Sequence, residues 1–201
     1  MGQKRQPWDR PVGSGIPNRP GDKDETPLYT ALGQAVSAWE GVNAASVSLM
    51  QACVGNAESD TAEALSNFGD ETRVHKRADL IRQEFRAYLG RRGGHGSKLV
   101  SNVRQSLDRA LAAYVEWSAR RNDLAHGYVT PADGPDYSHA DQPIVRTFAL
   151  LPSHARTGRW LHGEPEFNYL ASEIEGFARA FAALDERFET LARRVAALGT
   201  N

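Results

Sequence analysis

Leu170, Ile174, Phe177, Phe181, Leu184, Phe188, Leu191, Val195 and Leu198 follow one another at spacings that alternate four and three without a break. That alternation places all nine side chains on one stripe of an α-helix, whereas a strand would scatter them over both faces. Helices in proteins owe most of their stability to the burial of such a face, so other helices must cover the stripe along its length. The fold class this demands is all-α. The supply of partners is adequate, because 201 residues with 40% hydrophobic content can form one sizeable core.

Three further helices are legible upstream. "TPLYTALGQAVSAWEGVNAASVSLMQACVG" opens with Thr26 as N-cap and Pro27 in the first turn, carries apolar residues at Leu28, Leu32, Ala35, Trp39, Val42, Leu49 and Cys53, and stops at Gly55. A polar link with room for one short helical turn leads to "DETRVHKRADLIRQEFRAYLG", ending at Gly90. "GRRGGHGS" breaks the chain, and Ser97 can cap a long third helix, "KLVSNVRQSLDRALAAYVEWSARRNDLAH". Between Val129 and Gly163 the punctuation by Pro, Gly and Asp, with "IVRTFALL" and "GRWLH", predicts a long loop carrying a short β-hairpin or extended pair. It leaves directly after the third helix, where it can cover whatever that helix presents.

The remaining residues, about 1 to 25, are rich in Pro, Gly, Arg and Lys and lack periodicity, which predicts a disordered or partner-ordered basic arm before a single domain over 26–201. A formal net charge of -1 leaves any charge-driven partner dependent on a local patch. One cysteine, no stretch of signal-peptide character and no 18-residue apolar run point to a cytoplasmic protein outside the membrane.

The third helix ends on Arg121-Asn122-Asp123-Leu124-Ala125-His126-Gly127-Tyr128. Its stripe runs Val103, Leu107, Ala110, Tyr114, Trp117, and the next positions in phase are Arg121 and Leu124. A guanidinium on a packed face must be paired or line a polar cavity. Asn122 and His126 share a face four residues apart, so the amide can orient the imidazole. Arg121 and His126, five apart, lie about 140° around an ideal helix and cannot address one atom unaided. A structural reading stands beside the functional one: a His-Gly helix terminus suits the dipole and a left-handed turn, and Arg121 could pair with a buried acid.

The eight residues fit the pattern R-x-x-x-x-H, extended by Tyr128 to R-x-x-x-x-H-x-Y, and in this the chain resembles the HEPN superfamily, in particular HEPN toxins paired with nucleotidyltransferase antitoxins. The resemblance implies an up-and-down four-helix bundle that dimerises with two motifs facing each other, and a metal-independent endoribonuclease with no cofactor. Arg121 would then hold the phosphate, His126 would move protons and Asn122 would orient it, while Tyr128 would be an auxiliary donor, a stacking surface or a site of adenylylation. Partners implied are a second copy, an RNA substrate, and a cognate antitoxin or nucleotidyltransferase. The alternative is a catalytically silent HEPN-like module that binds a nucleotide or a protein. Around the second helix Arg77, Arg82, Arg86, Arg91 and Arg92, with Arg120 as a solvated neighbour of the motif, could track an RNA backbone, or form the solvated face of an amphipathic helix. No histidine or cysteine spacing suggests a metal site.

Overall fold

The computed structural model describes residues 5–16, 19–55, 58–92, 97–131, 147–161 and 163–198. Five α-helices run through them: α1 (Thr26–Val54), α2 (Glu58–Asp70), α3 (Val74–Arg92), α4 (Lys98–His126) and α5 (Ala171–Ala197). Two small antiparallel sheets pair β1 (Gly127–Pro131) with β2 (Phe148–Pro152), and β3 (Trp160–Leu161) with β4 (Glu164–Pro165). The protein is mainly helical, with one helix more than the four anticipated. The added one is α2, thirteen residues where a single turn was expected. Its anchor is Phe68, fully buried beneath the guanidinium of Arg77 at 4.3 Å.

Residues 38–118 and 181–201 form one compact unit, and residues 1–37 and 119–180 another. The first is a helical bundle. Trp39 of α1 stacks on Tyr114 of α4 at 5.5 Å and meets Phe181 of α5 edge-on at 5.1 Å; Phe188 meets Tyr114 at 5.4 Å and Trp117 meets Phe181 at 5.8 Å. These pairs set α4 antiparallel to α5. Arg77 donates to the Asn43 side chain and Arg91 to the carbonyls of Cys53 and Val54, so α3 runs beside α1 in the same sense. Arg91 thereby brings a cation to the carbonyl end of α1. Burial pushes the Cys53 thiol up to about 12, which leaves it an apolar filler.

Helix boundaries follow local chemistry. Gly55 takes φ +80 and ends α1, and Ser97 Oγ accepts the Val100 amide at 3.1 Å to cap α4. Gly90 does not end its helix, which continues to Arg92.

The second unit is where structure and expectation part. Over its described residues the supposed arm is held in place. Asp22 exchanges both backbone hydrogen bonds with Phe148 and its carboxylate accepts the Ala171 amide at 2.8 Å, so a residue from the N-terminal segment caps α5. Arg19 pairs with Glu173 at 2.9 Å, and the Asn168 amide donates to the Ser14 carbonyl at 2.6 Å. Polar bonds to distant residues fix this segment, and composition alone does not register them. On β2, Phe148 bridges to Asp22 and Leu150 to Tyr169, while β1 pairs in the register Tyr128 to Leu151. The "FALLP" stretch is extended as expected, but it pairs with the residues directly after α4, while Trp160 and Leu161 of "GRWLH" pair with Glu164 and Pro165; residues 132–146 and His162 lie outside the described residues. Among the described residues no helix is long and apolar enough to cross a membrane.

Because Trp39 is buried against two rings, Trp39→Ala should destabilise the protein by about 3 to 5 kcal/mol. Urea denaturation followed by far-UV circular dichroism measures this loss.

Candidate functional site

The packed face of α4 does not continue through Arg121. After Trp117 it passes through Arg120, Asp123 and Leu124: Asp123 and Leu124 are buried, and the Arg120 side chain is only 12% exposed. Arg121 is half-buried and donates to the Asn122 amide oxygen at 3.2 Å; Asn122 and His126 are exposed. The buried charge expected at Arg121 therefore belongs to its neighbour. Arg120 corrects the reading of a solvated residue, since its Nη1 lies 3.3 Å from both Asp123 Oδ2 and the Tyr169 hydroxyl.

Asp123 pairs with three arginines in this unit. Its side chain is wholly buried; it accepts the Tyr169 hydroxyl at 2.7 Å and Arg10 Nε at 3.3 Å, and it pairs closely with Arg159. Glu166 closes the cluster by bridging Arg10 at 2.7 Å and Arg159 at 3.2 Å. Burial, then the neighbouring Asp123 charge, raises the Tyr169 phenol above its ordinary value, so it remains a donor. Sequence reasoning passed over Asp123. The signal that could have found it is local: an acid three residues after Arg120, facing the same side of the helix as that cation.

Between His126 and Gly127, less than one helical turn after Asp123, the chain passes from helix to strand. A Cβ on Gly127 would stand 2.9 Å from both the Asp123 carbonyl and Leu150 Cγ. The glycine is required by this close approach, and it is not among the glycines with positive φ. The tight passage presents His126 at the rim, with its carbonyl accepting the Ser153 amide at 3.2 Å. Partial desolvation, followed by the charges of Arg156, Arg121 and Arg159, holds the His126 imidazole below its ordinary value of 6.5. Two of those three cations come from the segment after β2. This segment does what the spacing on α4 left open, since it brings further charge to the histidine from the same chain.

Tyr128, half-buried on β1, lies 5.7 Å from the ring of His154, which stacks on Trp160 at 4.2 Å and 19°. Neither Arg156 nor His154 carried a signal in the sequence; tertiary pairing of β1 with β2 brings them here.

The arginines proposed to follow RNA belong largely to the bundle. Arg77 covers Phe68, Arg82 pairs with Asp79 at 3.0 Å, and Arg91 serves α1. Arg86 is exposed, and Arg92 ends α3 with its side chain outside the described residues. The bundle does hold a cleft of about 410 Å³, where Arg109, Arg187 and Arg194 outnumber Glu186. Among the described residues no three His, Cys, Asp or Glu side chains gather in a way that could hold a metal ion. Comparison with family models, with curated proteins and with solved structures gave no match to this chain.

Two outcomes are expected from this geometry. Asp123→Ala leaves three arginines facing a vacated acid and should cost about 3 kcal/mol, the lower end for a broken buried pair because the arginines retain some solvent. Chemical denaturation reads that cost. For His126, NMR titration should give a midpoint below 6.5 that rises in Arg156→Ala, and that rises in wild type as salt screens the arginines. Because the folded value lies below the unfolded one, protonating this histidine opposes folding, and the effect appears as pH falls through the ordinary histidine range.

Proposed function

We propose that this chain is a metal-independent endoribonuclease of HEPN type that cuts RNA by attack of the 2′-hydroxyl on the adjacent phosphate, in a toxin-like or defence role. The observation that carries the reading is the exposed His126, whose imidazole is held below its ordinary value by partial desolvation and by the charges of Arg156, Arg121 and Arg159. A neutral imidazole can take the 2′-hydroxyl proton. Guanidinium groups around it can hold the phosphate and meet the charge that develops on its oxygens. Asn122 steadies Arg121 through its amide oxygen in this scheme, rather than orienting the histidine. Tyr128 borders the site from β1, where a phenol can donate to a phosphate oxygen or be modified by a partner nucleotidyltransferase.

A homodimer with two such ends facing each other is part of the proposal, as is the use of RNA rather than DNA, which lacks the attacking hydroxyl. Mixed RNAs incubated with the protein in EDTA should be cut to products with a 2′,3′-cyclic phosphate and a 5′-hydroxyl. His126→Ala and Arg121→Ala should each lower kcat by about a hundredfold or more while circular dichroism stays unchanged. RNA that is bound but left whole would favour the silent binding module. Cleavage that disappears in EDTA and returns with magnesium would overturn the mechanism.

A further inference from the structure

Cleavage by this route needs two proton transfers, one from the 2′-hydroxyl and one to the departing 5′-oxygen. His126 can perform the first. The end of α4 holds no second imidazole, which is why the sequence pointed to a second protomer. Within the same chain, however, the β1 and β2 pairing carries another histidine to this place. Ser153 bonds the His126 carbonyl, His154 follows it directly, and the His154 ring lies against Tyr128, two residues beyond His126. His154 is exposed, so a substrate can reach it. Its ring is also oriented: stacking on Trp160 at 4.2 Å fixes its plane, and the Trp160 indole nitrogen is tied to the Ser153 carbonyl at 3.4 Å. An indole face attracts cations, so it can hold this ring with or without its extra proton. Arg156, two residues further, brings positive charge to His126 from the same turn.

We propose that His154 is the general acid of the reaction, acting with His126 of the same protomer. The assignment rests on the endoribonuclease reading. His126 accepts the 2′-hydroxyl proton as the 2′-oxygen bonds to phosphorus; the bond from phosphorus to the 5′-oxygen breaks, and His154 in its imidazolium form gives that oxygen a proton. Water then returns His126 to its neutral form and His154 to its charged form. Each catalytic proton has a named donor and acceptor, and no metal or second subunit enters the step. Dimerisation would then shape the groove for RNA without completing the proton pathway.

The test exploits the leaving group. A uridine 3′-(4-nitrophenyl) phosphate expels nitrophenolate, which departs without a proton, whereas RNA expels an alkoxide that needs one. His154→Phe keeps a flat ring against Trp160 and removes the proton. It should slow RNA cleavage by about a hundredfold or more yet leave nitrophenyl ester cleavage nearly at the wild-type rate, while His126→Ala should lose both. Equal loss of both substrates in His154→Phe, or no loss of either, would overturn the assignment while leaving the nuclease reading intact. A wild-type protein inert toward both would remove that reading and this assignment together. Mixing His126→Ala with His154→Phe should not restore RNA cleavage, because neither protomer carries both imidazoles. Recovery in the mixture would show that the pair is shared between protomers and would overturn the claim of a single-chain site.

Discussion

The buried carboxylate of Asp123 is the interaction around which the N-terminal segment, the end of α4, and the stretch from 159 to 169 are organised. An ionised carboxylate inside a protein is tolerated only when its oxygens are fully engaged. Here the engagement comes from Arg120 one turn earlier, from Arg10, from Arg159 and from the Tyr169 phenol. Each partner belongs to a different segment, so satisfying one side chain fixes several paths of the chain. Tyr169 is further set by its bridge to Leu150, which ties the cluster to β2. The surface ion pairs elsewhere in the protein carry no comparable constraint.

His126 benefits from this arrangement without belonging to it. Asp123 holds Arg159, and that arginine is one of the three whose charges, after partial desolvation, keep the imidazole below its ordinary value. Asp123 also anchors the last turn of α4, and the tight passage at Gly127 gives the helix end one exit direction. The exposed histidine thus follows directly on a turn of helix fixed by buried ion pairs. The aromatic ladder of Tyr128, His154 and Trp160 plays the corresponding part on the strand side.

Helical content was legible in the sequence because each long helix has strong local signals. The four-three stripe of α5, the Ser97 cap and the Gly55 stop are all properties of neighbouring residues, and α4 spans the same residues in both readings. The site was legible only where it lies on α4. His126 could be singled out from its motif, but the assignment of Arg121 to the packed face failed, because the face steps three residues after Trp117, to Arg120, where a step of four was read. The contributions of Arg10, Arg156, Arg159 and His154 depend on strand pairing and on ion pairs spanning up to 156 residues of chain. No window of sequence contains them. The same holds for the docking of the N-terminal segment, whose composition resembles that of disordered chains although its polar groups have specific partners.

These long-range contacts also set an order of assembly during synthesis. Chains emerge from the ribosome N-terminus first, and segments fold as their contacts become available. Arg10 and Arg120 emerge before or with Asp123, whereas Arg159, Glu166 and Tyr169 follow only after the stretch from 132 to 158 has been made. Until then the carboxylate lacks half its partners, β1 lacks β2, and His126 lacks two of its three cations. The end of α4 therefore acquires its charge pattern late, only after the residues that carry Arg159 and Tyr169 have been made.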